Sequence, residues 1–355
     1  MRALSAVAVA ALLAACSGGE SHSAYAPTAA LRMRADQAPF MLDREFPGYT
    51  GVRAPELRPD HHKSWVSPDV KRTSKLLFVS DYAAGDVYIY KMPDVALKGT
   101  LTGFSGPQGE CSDARGNIWI TNTNKSQVLQ YSWNGKPLKT LSDPGYYPDG
   151  CAVNNGNGDV AVSNFEDTSG GPGNVSVFHN GSGSPVVLTN PSQYYYFFPA
   201  YDISGNLYVD GVDASEFNIL SECPVGSGNC TSLTVSGASL YAPGGLNWDK
   251  PNNNLVIGDQ LCGGQFVSCL YEATILGSTA SVIGTTPLRN YDGTGCDAVQ
   301  GALAPRDLYF AGGCISYGSS MNSADRWDYP VGGAPPWYAT GLSYPVGAAI
   351  SDKKH

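Results

Sequence analysis

Pro107-Gln108-Gly109-Glu110-Cys111-Ser112-Asp113, then Gly116-Asn117, then Ile118-Trp119-Ile120-Thr121-Asn122, is the stretch on which the fold turns. It reads as a proline-led turn, a short strand of small residues, a polar turn, and a β-rich strand that stops at a polar residue. The pattern returns down the chain. Its second copy is Pro148-Asp149-Gly150-Cys151-Ala152-Val153-Asn154, Gly156-Asn157-Gly158, Val160-Ala161-Val162-Ser163-Asn164. The third is Pro199-Ala200-Tyr201-Asp202, Gly205-Asn206, Leu207-Tyr208-Val209-Asp210, and the fourth runs from Pro243-Gly244-Gly245-Leu246 to Leu255-Val256-Ile257-Gly258-Asp259. A fifth is degraded, with Gly295-Cys296-Asp297-Ala298-Val299 ahead of Asp307-Leu308-Tyr309-Phe310-Ala311-Gly312.

The ends carry half a copy each. Leu76-Leu77-Phe78-Val79-Ser80-Asp81 is a second strand with no first, and Tyr344-Pro345-Val346-Gly347-Ala348-Ala349-Ile350-Ser351-Asp352 is a first strand with no second. Pairing the two closes a ring and removes the exposed edges that invite aggregation. Pro107, Pro148, Pro199 and Pro243 stand at intervals of 41, 51 and 44 residues, with Pro345 a further 102 on. Those spacings suit propeller blades of about 40 to 50 residues. The expectation is an all-β, six-bladed β-propeller over residues 75–352, its C-terminal strand completing the N-terminal blade. Small residues let inner strands crowd one axis, and Phe78, Trp119, Tyr208 and Tyr309 are expected between blades.

The turn Asp-x-x-Gly-Asn followed by an aliphatic-aromatic strand ending in Asp or Asn resembles the NHL repeat, and the whole is similar to the broader SMP-30/NHL-like group of six-bladed propellers. Copies one and three match well, two and four approximately, five poorly. The resemblance implies architecture more than activity, because one propeller frame hosts lyases, lactonases, peptidases and pure binding platforms.

Ahead of the repeat, Arg2 and the apolar residues 3–15 read as a secretory signal. Leu13-Ala14-Ala15-Cys16 resembles the bacterial lipobox, which implies acylation (palmitate) at Cys16, with residues 1–16 as signal peptide and an extracytoplasmic chain anchored to the cell envelope. Ser17 after the cysteine leans toward the outer membrane where a cell has one. Residues 17–74 are a proline-rich tether that becomes partly ordered near Ser64-Trp65-Val66-Ser67-Pro68. A net charge of -9 gives nucleic acid no electrostatic footprint.

Eight cysteines besides Cys16, in an exported chain, read as a disulfide set rather than a metal site, because no Cys-x-x-Cys pair or histidine cluster accompanies them. Cys223 and Cys230 flank one loop and Cys262 and Cys269 another. Cys111 with Cys151 and Cys296 with Cys314 are the other pairs expected, with connectivity left open.

Two functions compete at this point. The first is a monomeric binding or scaffolding module, with a protein or carbohydrate ligand held at residues 165–173, at Tyr194, Tyr195 and Tyr196 within the aromatic run 194–198, and at residues 312–325. It needs no cofactor. The second is a metal-dependent hydrolase. Tyr147-Pro148-Asp149-Gly150 resembles the Pro-Asp-Gly turn of SMP-30 and gluconolactonase propellers, which implies Ca2+ or Mg2+ held by Asp149 with Glu110 and Asn164, or Asn122 in its place. Pro-Asp-Gly is also simply a good turn. The polar residues that close each second strand, Asp81, Asn122, Asn164, Asp210 and Asp259, form either a ring of oxygens or a set of turn caps, and their repetition favours caps. Of the histidines only His179 falls inside the repeat, in a hairpin.

Overall fold

The structure, a computed structural model, describes residues 63–317 and 321–353; Cys16, the expected signal sequence over residues 1–16 and most of the expected tether over residues 17–74 lie outside the described residues. Those described form antiparallel sheets arranged radially, in a propeller-like architecture.

The first sheet places Pro345–Asp352 innermost, followed outward by Lys75–Asp81, Asp86–Lys91 and Ala96–Thr102. Lys75 pairs with Asp352 and Asp81 with Pro345, so the C-terminal strand completes the N-terminal sheet in the register its alternation sets. Trp65–Val66 adds a fifth strand on the outer edge, beside Gly99 and Thr100. The second sheet is Pro107–Ser112, Ile118–Asn122, Gln127–Tyr131 and Pro137–Ser142, and the third is Tyr146–Val153, Val160–Asp167, Pro172–Phe178 and Val186–Leu188.

The next two meanders depart from a set of separate blades. Their outermost strands, Thr231–Ser236 and Thr279–Leu288, run parallel and share a ladder from Thr234↔Thr279 to Ser236↔Ser281, giving one eight-stranded sheet with inner strands Tyr195–Tyr201 and Pro243–Asp249. The junction lies at a hairpin tip: Thr279, Ala280 and Ser281 pair with Leu276, Ile275 and Thr274, past the last pair with the next strand inward (Leu255↔Ala273), and their free side meets Thr234–Ser236. In the last sheet the inner strand is broken into Gly295–Asp297 and Gly301–Ala304, both paired with Tyr309–Tyr317, and Asn322–Asp328 and Trp337–Leu342 lie outside it.

Inner strands touch their neighbours around a closed circuit, from Pro345–Asp352 through Pro107–Ser112, Tyr146–Val153, Tyr195–Tyr201, Pro243–Asp249 and Gly301–Ala304 back to the start. Glycine makes the approach possible: a Cβ on Gly109 would stand 2.5 Å from the Asp149 carbonyl oxygen, and one on Gly150 2.4 Å from that of Phe197. In the first three sheets, hydroxyls one residue before the strand-closing Asp or Asn tie each sheet to the next. Ser80 Oγ donates to the Gln108 carbonyl, Thr121 Oγ1 to that of Asp149 at 3.0 Å, and Ser163 Oγ to that of Phe197.

The core lies between sheets. Phe78, Ile89 and Leu101 meet Ile118 and Ile120 in one layer, and Trp119 and Val128 meet Val160 and Phe178 in the next. Tyr309 and Ala324 close the circuit against Leu77 and Tyr90. Four disulfides join Cys111 to Cys151, Cys223 to Cys230, Cys262 to Cys269 and Cys296 to Cys314.

Candidate ligand-binding cavity

Of the five residues closing the second strands, all but Asn164 are committed to the chain that enters the inner strands. Asp81 accepts N–H bonds from Ser343 at 2.6 Å, Tyr344 at 2.9 Å and Ala84 at 3.1 Å. Asn122 Oδ1 accepts from Ser105, Asp210 Oδ1 from Phe198, and Asp259 from Tyr241, Ala242 and Leu261. These are caps, each satisfying backbone donors that burial would otherwise leave orphaned. At the opposite ends of the inner strands, Asp113 Oδ1 accepts from the Arg115 and Asn117 amides while Asn117 Nδ2 returns to Asp113 Oδ2, and Asp202 does the same with Ser204 and Asn206. The repeated Asp-x-x-Gly-Asn is thus a turn lock.

The broken strand explains the degraded fifth copy. Between its two halves, Ala298, Val299 and Gln300 step toward the axis. The Val299 carbonyl accepts the Gly245 amide, and its side chain packs beside both the Phe165, Phe197 and Phe198 cluster and the Ile315, Tyr344 and Val346 cluster. Gln300 reaches across the ring to the strand of Glu110. Its Oε1 accepts the Glu110 amide at 2.9 Å and the Ala348 amide at 3.3 Å, and its Nε2 donates to the Glu110 carbonyl at 3.1 Å. One side-chain amide thereby stands in for a strand partner, and the axis is plugged.

Below the plug, on the face where inner strands end and the turn locks begin, lies a cavity of about 550 Å³. Glu110, Gln300 and Ala348 line it, one wall carries Trp248, Tyr201, Ile203 and Pro251, and the other carries Lys75, Arg306 and Asp307. Trp248 is held by stacking on Tyr208, with ring centroids 5.5 Å apart. Lys75 is bound to Asp307 and lies 3.8 Å from Asp352. Ile203, 65% exposed, is an apolar side chain at the mouth.

Three buried carboxyls stand out near the axis. Glu110 is fully enclosed, and desolvation pushes its pKa well above the ordinary value; the Ala349 amide approaches it, yet neither oxygen completes a hydrogen bond. Desolvation raises Asp149 to about 8, and its Oδ2 has no partner. Asp210 is also pushed well above the ordinary value by burial, with the Asp149 charge adding to the effect, and its Oδ2 is unpartnered too.

Of the three residues expected to share a metal, Glu110 sits with Ala349 and Gln300, Asp149 has Asp210 as its charged neighbour, and Asn164 Nδ2 donates to Asp143 Oδ2, Asn174 Oδ1 and Ser176 Oγ. No hydrogen bond joins any two of them among the described residues. Asp149 and Asp210, each with one spare oxygen, are the pair whose donor chemistry suits a hard cation.

The aromatic run is half-buried at its first two residues and buried at Tyr196, Phe197 and Phe198. Tyr194 and Tyr195 are half-buried and meet edge to face at 4.8 Å, and Tyr195 stacks on Phe165 at 4.6 Å. Tyr196 is not a surface residue. It is fully buried, and its hydroxyl accepts the Asn190 amide and donates to the Asn190 carbonyl; both faces of this inner strand are covered, Tyr195 and Phe197 packing on the Phe165 side and Tyr196 on the other with Ala161, Val175 and Val209. Residues 165–173 and 194–198 lie on the face opposite the cavity, at the start of the inner strands. Gln300, Trp248 and Lys75 escaped the sequence reading. The one signal for Gln300 was the degradation of the fifth copy, since a strand that loses its pattern at the axis has been put to other use.

Fold and site together define an all-β propeller-like protein with a plugged axis and a chamber on the turn-lock face. No family model matches the chain, and no curated protein does. Among solved structures it is similar to a chain of the nidogen/laminin complex, at 12% identity and a TM-score of 0.54 over 78% of this chain and 98% of that one. A protein of unknown function from Bacteroides caccae aligns at 10% identity and a TM-score of 0.57, over 78% of this chain and 99% of that one. TolB from Acinetobacter baumannii aligns at 10% identity and a TM-score of 0.56, over 78% of this chain and 66% of that one. At such identities the likeness is one of fold.

Proposed function

We propose that the chain is a lipid-anchored, extracytoplasmic six-bladed propeller of NHL-like type that binds a ligand as a monomer. The single observation that carries the binding reading is the chamber of about 550 Å³ beside a plugged axis, within the range of small-ligand sites. Counting six blades treats the eight-stranded sheet as two meanders fused at their rims, which the circuit of inner strands supports. Four disulfides and TolB-like neighbours support an extracytoplasmic setting, and a neighbour taken from a nidogen/laminin complex supports recognition of a protein by this architecture.

The test is a thermal-shift screen of saccharides, peptides and amines on the wild type and on Ala302→Trp, which fills the chamber. A compound present at about a hundred times its Kd adds about 2.7 kcal/mol of stability. That gain should appear in the wild type and vanish in the variant. A compound converted to product by the wild type, seen by mass spectrometry, defeats the binding-only reading.

A second reading, the SMP-30-like metal-dependent hydrolase, is favoured by the spare oxygens of Asp149 and Asp210. It requires that Ca2+ raise the melting temperature and that Asp149→Ala abolish the rise; Ca2+ with no effect on the wild type removes it.

A further inference from the structure

The last sheet carries a second cluster of buried polar atoms, off the lining of the chamber. Gly295–Asp297, Tyr309–Tyr317 and Asn322–Asp328 are neighbouring strands, with Cys296 opposite Ser316 and Cys314 opposite Ser323. Strand side chains alternate, so Cys314 shares a face with Ser316 and Asp325 shares one with Ser323. Cys296, Cys314 and Asp325 therefore meet. The two Sγ atoms and a carboxylate oxygen all lie within 4.8 Å of one another, and all three residues are fully buried. Phe310, Trp327 and Leu288 pack with the two cysteines and keep the surroundings apolar.

A disulfide needs no carboxyl at its side, and a buried carboxyl needs partners that this one lacks. Neither Asp325 oxygen completes a hydrogen bond, and the Ser323 hydroxyl that approaches it is unpartnered too. The charged group that acts on Asp325 is Asp292, another acid, and among the described residues no lysine, arginine or histidine forms an ion pair with it. Among the described residues no other cysteine pair has a carboxylate or imidazole in comparable range.

We propose that Cys296 and Cys314, as a dithiol, hold a Zn2+ ion together with Asp325, so that this junction is stapled by a disulfide under oxidising conditions and by a metal under reducing ones. The donor set chooses the ion. Thiolates suit Zn2+ and closed structural sites, whereas Ca2+ and Mg2+ take oxygen alone. Three anionic ligands with no cation of their own leave negative charge for the ion to offset, and Ser323 supplies a neighbouring oxygen for the fourth position. A dithiol reductant gives two electrons and two protons to the Cys296–Cys314 bond and leaves as its own disulfide. Zn2+ then replaces the protons on the groups it binds, and these pass to solvent. Access comes by local opening of Gly295–Asp297, which has three residues and is held by one ladder and a single bridge from Gly295 to Arg289.

The inference is independent of the chamber. Zinc content and Co2+ charge-transfer absorption, which reports thiolate ligation, are measured on the full chain kept oxidised and on the chain reduced with a phosphine. The reduced wild type should retain about one zinc ion per chain after desalting, and the oxidised form none. Cys314→Ser should lose the zinc and the cobalt band. Asp325→Asn should bind zinc about tenfold or more weakly, while its oxidised form melts within a few degrees of the wild type. Cys223→Ser/Cys230→Ser should keep both signals. Should reduction alone unfold the chain, Zn2+ must restore its cooperative melting transition, and failure to do so sinks the proposal. So does a reduced wild type without zinc, full affinity in Cys314→Ser or Asp325→Asn, or loss of the signals in Cys223→Ser/Cys230→Ser.

Discussion

Burial without a full set of donors lifts the Asp149 carboxyl from an ordinary 3.8 to about 8, and that has a consequence for stability. Between those values the folded protein keeps a proton that the unfolded chain has released. The contribution is complete below about pH 4 and is lost as pH rises toward 8, at up to about 1.4 kcal/mol per pH unit for one group. Asp210, raised by the same cause, adds to the slope. Denaturant melts at about pH 5 and pH 7.5 should show a wild type that weakens with rising pH and an Asp149→Asn variant with a flatter profile, more stable at the higher pH by about 2 to 4 kcal/mol. Parallel profiles would mean that Asp149 is ionised in the folded protein. The same scale shows what a sequence can disclose about single residues. Asp81, Asn122, Asp210 and Asp259 were legible as caps because each recurs at one position of the repeat, and repetition is the mark of a structural duty. Glu110 and Gln300 occur once, and their meeting across 190 residues leaves no local pattern.

At the level of elements, the disulfides differ in what they restrain. Cys111–Cys151 links the inner strands of neighbouring sheets across 40 residues, while Cys223–Cys230 and Cys262–Cys269 each close only 7. Loop-closure entropy assigns about 4 kcal/mol to the first and about 2 kcal/mol to each of the short ones. Chemical denaturation of Cys111→Ala/Cys151→Ala should therefore show a loss about twice that of Cys223→Ala/Cys230→Ala, and equal losses would place the stabilisation in native packing instead. The pairing matched the expectation because two pairs flank short loops and the other two sit on strands the repeat makes neighbours. The parallel junction of Thr231–Ser236 with Thr279–Leu288 was not legible. Outer strands carry the weakest pattern, their partners lie outside the repeat unit, and backbone hydrogen bonding between rims places no demand on side chains that a sequence would display.

For the whole molecule, stability depends on the circuit being closed. Pro345–Asp352 does three things: it pairs with Lys75–Asp81 along its length, seats Gly347 against Gln108 of the second sheet, and follows the Ser343 and Tyr344 amides that Asp81 caps. Deleting residues 343–355 removes all of these and exposes the inner edge of the first sheet, an aggregation-prone surface. The deletion should abolish the cooperative melting transition and shift the protein to the void fraction in size exclusion. Losing a few strand bonds is one explanation of such a result, and losing the ring is another, so a second protein is needed. The Lys353 amide donates to the Ser74 carbonyl at 2.9 Å, so the chain ends of the ring are adjacent. A permutant that joins residues 74 and 353 through a short Gly-Ser linker and opens at the exposed turn near Gly183 keeps every inner strand while making the closing pair continuous. It should melt cooperatively within a few degrees of the wild type. If it does, and the deletion does not, closure rather than chain order holds the fold. If the deletion also melts cooperatively, the sheets are stable as an open array and the C-terminal strand is only an edge.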